Sequence, residues 1–401
     1  MSNKQKKPLL PTLRFPQFKN SNEWSSQELG DCLDYLQPTE YLVNSTAYSD
    51  KYDIPVVTAG KTFILGYTNE TGGVFNQPLP VIIFDDFTTA TQFVNFPFKA
   101  KSSAMKILLA KENANIKFLY ESMQQIDYEV GAHGRHWISA YSKIKIAAPE
   151  PAEQQKIADC LSSLDELIAA QARKVDALKT HKKGLMQQLF PREGETQPRL
   201  RFLEFRDAGE WEDQSIGNIG KVVTGSTPST AQPAFYGGGI PFVSPADISD
   251  MRFVDQTKTT LTQEGYAQTR PIRAGSVLFV CIGSTIGKVA QNIHDCATNQ
   301  QINAIIPNSK HSEGFVYFAL SLASERIALL AGRQAVPIIN KSLFSSVRIL
   351  VPKLPEQHRI ASFLSSIETL LTDENQSLEL LKAHKKGLMQ QIFPSLESIS
   401  A

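Results

Sequence analysis

The sequence predicts an α+β fold with two mixed α/β domains, separated by two long antiparallel coiled-coil helices in a pseudo-twofold tandem repeat. Three observations support this. Each half opens on a similar segment and closes on a similar helical pattern, and the bodies between them have short apolar runs with Gly and Asn turns. We therefore expect one structural unit written twice: opener, variable body and long helix.

The two openers are LRFPQFKNSNEWSSQELG, beginning at Leu13, and LRFLEFRDAGEWEDQSIG, beginning at Leu200. Trp24 and Trp211 match within them at an offset of 187 residues. The helical segments match at an offset of 203, so the second half carries 16 extra residues in its middle. The bodies are therefore where the two halves differ.

The long helices are predicted from an apolar seam that steps by 4 and 3 residues over about five heptads. Polar Gln171 and Lys182, matched by Glu374 and Lys385, interrupt the seam and should fix its register. About 37 residues give a helix of about 55 Å. The two helices should bury each other, the alternative being two unrelated helices, each packed on its own body. The seam residues are Ile157, Leu161, Leu164, Ile168, Val175, Leu178, Ile360, Leu364, Ile367, Leu371, Leu378 and Leu381.

These patterns set the expected domain boundaries. They are 1–148 for the first body, 149–191 for the central helix, 192–198 for a linker, 199–351 for the second body, 352–394 for the distal helix and 395–401 for a tail.

Composition excludes several classes of protein. The 41 basic and 40 acidic residues give a net charge of +1, so a nucleic-acid surface would have to be local. No apolar run approaches the roughly 18 residues of a membrane span, and Pro8 and Pro11 interrupt any export signal. The four cysteines form no CxxC pair, which predicts free thiols, a cytoplasmic location and no metal site.

Three motifs invite a catalytic interpretation and do not support it. CIGSTIGK has three residues between its glycines and Val289 after Lys288, so a tight hairpin is favoured over a phosphate loop. Asp85 and Asp86 are adjacent and should point to opposite faces, which favours a turn with a solvated acid. His133 and His136 have no accompanying zinc motif, so polar surface or DNA contact is favoured over a metal site. No catalytic residues are predicted.

Several longer motifs, in this order, carry a family resemblance. They are the opener LRFP.F....EW, the helix starts PEPAEQQKIA and KLPEQHRIA, and the helix ends LK.HKKGLMQQ.FP. Within the bodies they are IIFDDFTTATQFVNFPF, TGSTPSTAQPAFYGGGIPFVSPADI, GSTIGKVA and TNQQINAI. Over essentially its whole length the chain resembles the specificity subunit of type I restriction-modification enzymes.

The resemblance implies a non-catalytic subunit whose bodies are target recognition domains, each reading half of a bipartite site in double-stranded DNA. It implies two adenine-N6 methyltransferase subunits and two ATP-dependent restriction subunits as partners. S-adenosylmethionine, ATP and Mg would be bound by those partners and no cofactor by this chain, and no membrane partner is expected. Because the bodies diverge, the half-sites should differ, and rigid helices should fix an unread spacer of several base pairs.

Polar and basic side chains of the bodies are the expected DNA contacts, since such groups read base edges and phosphates. The alternative for each is an ordinary solvated side chain. In the first body the candidates are Lys61, Lys99, Lys101, His133, Arg135 and His136. In the second they are Thr227, Ser229, Ser284, Thr285, Lys288, Asn299, Gln300, Arg333, Gln334 and Lys341.

The repeated helix ends are the expected partner surfaces, because Met adapts readily to interfaces. The alternative is a solvated basic end of a coiled coil. The candidates are His181, Lys182, Lys183, Met186, Gln187, His384, Lys385, Lys386, Met389 and Gln390. For the whole chain, a two-lobed adaptor that never meets DNA, or an enzyme with an unrecognised site, remain the rival interpretations.

Overall fold

The computed structural model describes residues 9–130, 134–332 and 337–394. The chain divides into two compact units. Unit 1 joins the chain up to Ala172 to the chain from Gln376 onward, and unit 2 is Arg173–Asn375. Each unit therefore holds one body, the first part of the long helix that follows it, and the last part of the other long helix. These helices are α4 (Pro151–Leu189) and α9 (Leu354–Ile392).

Unit 1 contains nine short strands and three short helices besides the long ones, counted over its described residues. The strands are β1 (Ser25–Glu28), β2 (Leu33–Leu36), β3 (Ile54–Val57), β4 (Ile64–Thr68), β5 (Val81–Asp85), β6 (Thr91–Val94), β7 (Lys99–Ala100), β8 (Met105–Ala110) and β9 (Lys145–Ala148). The helices are α1 (Leu29–Cys32), α2 (Ile116–Met123) and α3 (His136–Ser139).

Unit 2 repeats this series with one more strand and one more short helix in its described part. Its strands are β10 (Glu212–Ser215), β11 (Gly220–Thr224), β12 (Tyr236–Val243), β13 (Phe253–Val254), β14 (Thr259–Leu261), β15 (Val277–Val280), β16 (Val289–Asn292), β17 (Ala297–Thr298), β18 (Ile302–Pro307) and β19 (Arg348–Val351). Its helices are α5 (Ile216–Ile219), α6 (Gln263–Ala267), α7 (Glu313–Ala328) and α8 (Lys341–Ser346).

The two bodies share one sheet topology. Unit 1 has sheets ordered β1-β9, β2-β8-β5-β6 and β4-β3-β7, and unit 2 has β10-β19, β11-β18-β15-β16-β13 and β14-β12-β17. The added strand β13 lies in the connection 244–258, which corresponds to the shorter connection 58–63 of unit 1. The tandem repeat of two mixed α/β domains with long helices is confirmed.

In each unit the two long helices run antiparallel. In unit 1, the start of α4 packs on the end of α9, and in unit 2 the start of α9 packs on the end of α4. All twelve predicted seam residues are buried or half-buried. The polar seam positions are paired as well. Lys385 Nζ lies 2.7 Å from Asp165 Oδ1 in unit 1, and Lys182 Nζ lies 2.6 Å from Glu368 Oε1 in unit 2.

The repeated Glu-Gln at each helix start fastens the opener and the body to the helix. The carboxylate of Glu153 accepts two hydrogen bonds from Arg14 of the opener, at 2.8 and 2.7 Å. The next residue, Gln154, accepts the Asn115 N–H at 3.0 Å, at the start of α2. Unit 2 repeats these bonds with Glu356, Arg201, Gln357 and Ser312. The EQQ and EQH motifs are therefore explained by docking inside each unit.

Three aromatic rings close the core of each unit. In unit 1, Trp24 of the opener, Phe118 of α2 and Phe393 beyond α9 have ring centroids 5.4–6.4 Å apart. In unit 2, Trp211, Phe315 and Phe190 respectively hold the same positions, with ring centroids 5.4–5.8 Å apart. The Phe that ends each repeated HKKGLMQQ segment is thus a core residue of the unit that contains the other body.

Helix α7 is unusually apolar. Within the described residues, Glu313–Ala331 is the helical stretch long and apolar enough to cross a membrane by length and composition. This corrects the expectation that no stretch approaches that length. Phe315, Phe318 and Leu320 of this stretch are buried in the core of unit 2. Its apolar character is therefore explained by packing inside the unit.

Removing the last aromatic ring of one helix should destabilise the unit whose core it completes. We expect Phe393→Ala to lower the free energy of unfolding of unit 1 by about 3–5 kcal/mol, because it leaves a cavity between Trp24 and Phe118. Denaturant titration followed by tryptophan fluorescence and circular dichroism measures this. The exposed neighbour Gln390→Ala is the control, and equal stability of the two variants would contradict the packing argument.

Asp165 should make the stability of unit 1 sensitive to acid. Burial by itself raises the pKa of Asp165, but hydrogen bonds and charges from Lys117 and Lys385 outweigh it and hold that pKa below its ordinary value. A group with a lowered folded-state pKa stabilises above its unfolded pKa of about 3.9, and this contribution is lost as pH falls through the folded value. Asp165→Asn should therefore be less stable than the natural chain at pH 7, with a difference that shrinks below about pH 4. Denaturant titrations across this range test it, and a constant difference would contradict it.

Candidate nucleic-acid interface

Four loop segments of unit 2 converge on one surface, although they lie far apart in the sequence. They are 225–229 after β11, 281–288 between β15 and β16, 298–301 from the end of β17 to the start of β18, and 337–341 up to the first residue of α8. Backbone hydrogen bonds join them: Ser226 N–H to Thr298 O at 2.9 Å, Gly283 N–H to Pro337 O at 3.1 Å, and Cys281 N–H to Gln301 O at 2.7 Å. The strands of the central sheets therefore position these loops together.

Two glycine features explain how the loops approach each other. A Cβ at Gly225 would lie 2.0 Å from Asn299 O, so only glycine lets these segments touch. Gly283 and Gly287 have φ of +97° and +94°, which L side chains rarely adopt. The GSTIG segment is thus the tight turn between β15 and β16 that the sequence predicts.

This surface brings together most of the described candidates of the second body. Thr227, Ser229, Ser284, Gln300 and Lys341 are exposed. Thr227 Oγ1 donates to Gln300 Oε1 at 2.7 Å, which joins two of the segments through side chains. The amide nitrogen of Gln300 and the hydroxyl of Ser284 are groups that suit base edges and phosphates. Arg333 and Gln334 lie outside the described residues.

Three candidates of the second body are engaged inside unit 2. Lys288 is half-buried, and its Nζ donates to Ile248 O at 2.8 Å, which weighs against the predicted DNA contact. Asn299 is half-buried and both ends of its amide bond Gln301. Thr285 is half-buried in the turn. These three side chains support the loops of the surface and are less accessible to DNA than the exposed candidates.

Unit 1 has the same convergence of loops, with different side chains. The segments are 37–41 after β2, the turn 86–90 between β5 and β6, 101–104 between β7 and β8, and 134–136 up to the first residue of α3. Asp86 N–H donates to Ala104 O at 3.0 Å and His136 N–H donates to Asp86 O at 2.9 Å. Arg135 is exposed, and Lys101 is half-buried with its Nζ 5.8 Å from the centre of the Tyr48 ring. Lys61 is exposed in the turn between β3 and β4.

Two predicted contacts of the first body need correction. Lys99 is 2% exposed; its Nζ donates to Gly72 O at 2.5 Å and lies 3.3 Å from Glu70 Oε2. His136 is buried with its Nδ1 3.2 Å from Tyr128 Oη. Both side chains are committed to the interior, because residue type alone does not report burial. His133 lies outside the described residues.

Asp85 and Asp86 have the opposite orientations that their adjacency predicts, but only one of them lies at the surface. Asp85 Oδ1 accepts the N–H groups of Phe87 and Thr88 at 2.9 and 2.8 Å, which holds the β5–β6 turn. Asp86 is buried, with its Oδ2 3.3 Å from Lys106 Nζ. The expectation of a solvated acid is therefore wrong for Asp86.

The structure adds two candidates. Phe87 is 45% exposed at the tip of the β5–β6 turn, where an apolar side chain can contact a thymine methyl group. Arg270 is exposed and its guanidinium donates to Thr224 O at 2.9 Å, next to Gly225. Phe87 lies within the IIFDDFTT motif and Arg270 outside the quoted motifs, and their exposure beside the convergent loops is what identifies them. Among the described residues no cluster of His, Cys, Asp or Glu could hold a metal ion.

The repeated helix ends divide into an inner and an outer set. Lys182 and Lys385 are paired with acids, as described above, while Met186 packs against the core of unit 2 and Met389 is buried in that of unit 1. The prediction that these four face a partner is therefore not supported by their positions. The outer set is exposed at matched positions of the two helix ends and remains available to a partner. It consists of His181, Lys183, Gln187, His384, Lys386 and Gln390.

Comparison with known proteins gives a consistent result. The family model described as "Type I restriction modification DNA specificity domain" matches residues 21–180 and 208–383. The specificity subunit of the type I restriction enzyme EcoR124I/EcoR124II from Escherichia coli is 38% identical over 368 residues, covering 87% of this chain and 88% of that protein. The specificity subunit of the type I restriction enzyme HindI from Haemophilus influenzae is 34% identical over 147 residues, covering 35% of this chain and 32% of that protein.

Solved structures with the same fold agree. The S subunit of a type I restriction-modification system from M. genitalium has a TM-score of 0.63 at 14% identity, covering 96% of this chain and 100% of that chain. A chain from a structural study of complex assembly and conformational transition of the type I restriction-modification system has a TM-score of 0.53 at 18% identity, covering 92% of this chain and 96% of that chain. At these identities the likeness concerns the fold alone.

Lys99 and Lys61 should behave differently when the ammonium group is removed. We expect Lys99→Met to lower the free energy of unfolding, because Glu70 and the Gly72 carbonyl lose their buried partner. Lys61→Met should leave stability within about 0.5 kcal/mol of the natural chain, as is usual at exposed positions. Denaturant titration of both variants measures this. A stable Lys99→Met variant would restore Lys99 as a candidate for DNA contact.

Proposed function

The chain belongs to the type I restriction-modification DNA specificity family, and from this premise we propose that each of its two units reads one half of a bipartite DNA site. Specificity subunits recognise the DNA sequence and are not the catalytic subunits of these enzymes. The observation that carries the division into half-sites is the pair of convergent loop surfaces. They occupy the same topological positions in both units but present different side chains. The site should therefore be asymmetric.

Recognition within each unit is proposed to combine base contacts with phosphate contacts. Gln300, Thr227 and Ser284 offer donors and acceptors suited to base edges in unit 2. Arg135 and Lys61 in unit 1, and Arg270 and Lys341 in unit 2, offer exposed cations suited to phosphates. This division agrees with a net charge of +1, since a few local cations suffice to position a duplex.

The partners of a type I specificity subunit are DNA and the methyltransferase and restriction subunits. We propose that this chain binds two adenine-N6 methyltransferase subunits and, in the full complex, two restriction subunits. The duplicated exposed set on the helix ends supports the number two, because the same side chains recur at matched positions. S-adenosylmethionine, ATP and Mg would be bound by those partners. The complex would act in the cytoplasm, where the DNA is.

A two-lobed adaptor that never meets DNA would also use long helices and carry no catalytic residues. It gives no reason for four distant loops of unit 2 to expose Thr, Ser, Gln and Lys side chains on one surface. The enzyme alternative makes a separate prediction, which is chemical turnover by the chain alone. The family membership favours neither rival.

Selection from randomised duplexes by the chain assembled with its methyltransferase should yield one bipartite, non-palindromic sequence. Gln300→Ala with Thr227→Ala should relax base preference in one half-site, at a cost of about 1–3 kcal/mol per lost bidentate contact, and leave the other half-site unchanged. The matched control is Asn218→Ala, exposed on α5 at the opposite end of β11 from these loops. Absence of any sequence preference in the natural complex would overturn the proposed function.

The two exposed sets on the helix ends should each support one methyltransferase subunit. Replacing His181, Lys183 and Gln187 with Ala should reduce the number of bound methyltransferase subunits from two to one, and the matching change at His384, Lys386 and Gln390 should do the same. Mass measurement of the purified complex by light scattering gives the stoichiometry. Neither change should alter the selected sequence, and a shift in that sequence with full assembly would contradict this assignment.

A further inference from the structure

Asp86 uses nearly all of its polar groups to join three loop segments beneath the surface of unit 1. Its N–H donates to Ala104 O at 3.0 Å, and its backbone oxygen accepts the His136 N–H at 2.9 Å. Its carboxylate Oδ1 accepts the Trp137 N–H at 2.8 Å, and Oδ2 lies 3.3 Å from Lys106 Nζ. We call Asp86, Lys106 and these three backbone partners the Asp86 cluster.

A gain in folding stability does not explain why this buried cluster contains two charged side chains. Asp86 is 1% exposed and Lys106 is 0% exposed, so both have lost their water. Among the described residues, Lys106 Nζ has no hydrogen-bond partner; its other close neighbour is the Tyr35 ring, with the centroid at 5.1 Å. A buried ion pair is costly to desolvate and is often no more stable than an apolar pair of the same size.

Unit 2 builds the same cluster from neutral groups. Cys281 N–H donates to Gln301 O at 2.7 Å and Cys281 O accepts the Ile339 N–H at 2.8 Å. The side-chain partner is Asn303, whose Nδ2 lies 3.1 Å from Cys281 Sγ. Burial raises the pKa of the Cys281 thiol to about 12, so the group is neutral.

The correspondence extends to the strands. Phe84 pairs with Lys106 in unit 1, as Phe279 pairs with Asn303 in unit 2. The Cys281 cluster and the Asp86 cluster therefore occupy the same place, at the ends of the central strands. They differ in charge and agree in their two backbone bonds.

The residues adjacent in sequence to Asp86 and His136, whose backbones are bonded in the Asp86 cluster, have exposed side chains. Phe87 follows Asp86 directly in the β5–β6 turn and is exposed. Arg135 precedes His136, whose N–H is bound by Asp86, and is also exposed. A displacement of the Asp86 carboxylate would therefore move both exposed side chains, without itself touching anything outside the unit.

We propose that Asp86 is a positioning residue for sequence recognition by unit 1, with Lys106 holding its carboxylate, and that Cys281 with Asn303 has the same role in unit 2. The proposal rests on the proposed reading of DNA by each unit. The cluster fixes the segment before α3 against the β5–β6 turn, so that Arg135 and Phe87 meet the duplex in one geometry. Positioning of this kind matters because base contacts tolerate little displacement.

Three variants separate positioning from folding. Asp86→Asn keeps an oxygen for the Trp137 N–H but leaves Lys106 charged and buried without a counter-ion. Asp86→Glu keeps the charge and moves the carboxylate by one methylene group. The double variant Asp86→Cys with Lys106→Asn transfers the neutral pair of unit 2 into unit 1 and serves as the matched control.

The variants are assembled with the methyltransferase and compared by selection from randomised duplexes. Asp86→Asn and Asp86→Glu should lose preference at the half-site read by unit 1, by on the order of tenfold, and keep it at the other half-site. The double variant should recover most of the loss. The salt dependence of binding should be unchanged in all three, because no phosphate-contacting charge is removed.

The outcomes distinguish this inference from the function on which it rests. A natural complex that selects no sequence would overturn the proposed function itself. A natural complex that selects a bipartite site, together with an assembled Asp86→Glu complex that selects the same site with the same affinity, would overturn only the positioning role. If Asp86→Asn fails to assemble, Asp86→Glu decides, since it keeps the buried pair charged and balanced.

Discussion

The structure depends on one packing constraint: neither half of the chain contains all the residues that close its own core. The aromatic cluster of unit 1 needs Phe393, which comes after the second body, and that of unit 2 needs Phe190, which comes after the first. Apolar surface of this size is costly to leave in water. Each long helix must therefore end in the unit that contains the other body. This explains why one chain repeats the same helix ending almost unchanged.

The same constraint separates the invariant parts of the molecule from the variable ones. The segments that repeat are the ones that contact one another within each unit. The Glu-Gln helix starts hydrogen-bond to the opener and to the body, and the terminal Phe residues pack on the Trp of the opener. Within each unit, backbone hydrogen bonds that do not depend on side-chain type join segments of the loop surface. Side chains there can differ between units while the fold stays the same. A protein with two different half-sites requires this arrangement.

The scaffold was predictable from the sequence because periodicity reports burial directly: a residue in the seam must face the partner helix. Individual contacts at the surface were harder to predict from the sequence. Lys99 and Lys61 have the same side chain, yet one is buried against Glu70 and the other is exposed. Met389 lies in a segment rich in basic and polar residues but packs in the core. Asp86 and Lys106 meet only because β5 pairs with β8, a register that no local pattern specifies.

The two buried clusters show how recognition and folding can be separated in such a protein. The same two backbone bonds occur beside a charged side-chain pair in unit 1 and beside a neutral side-chain pair in unit 2. The bonds are therefore what the fold requires, and the side chains are free to adjust the geometry of the loops above them. If one buried pair sets how a loop meets DNA, substitutions beneath the surface can change which bases are read without adding or removing a contact. Specificity then depends on two layers of residues, and only the outer layer is visible in a list of exposed polar side chains.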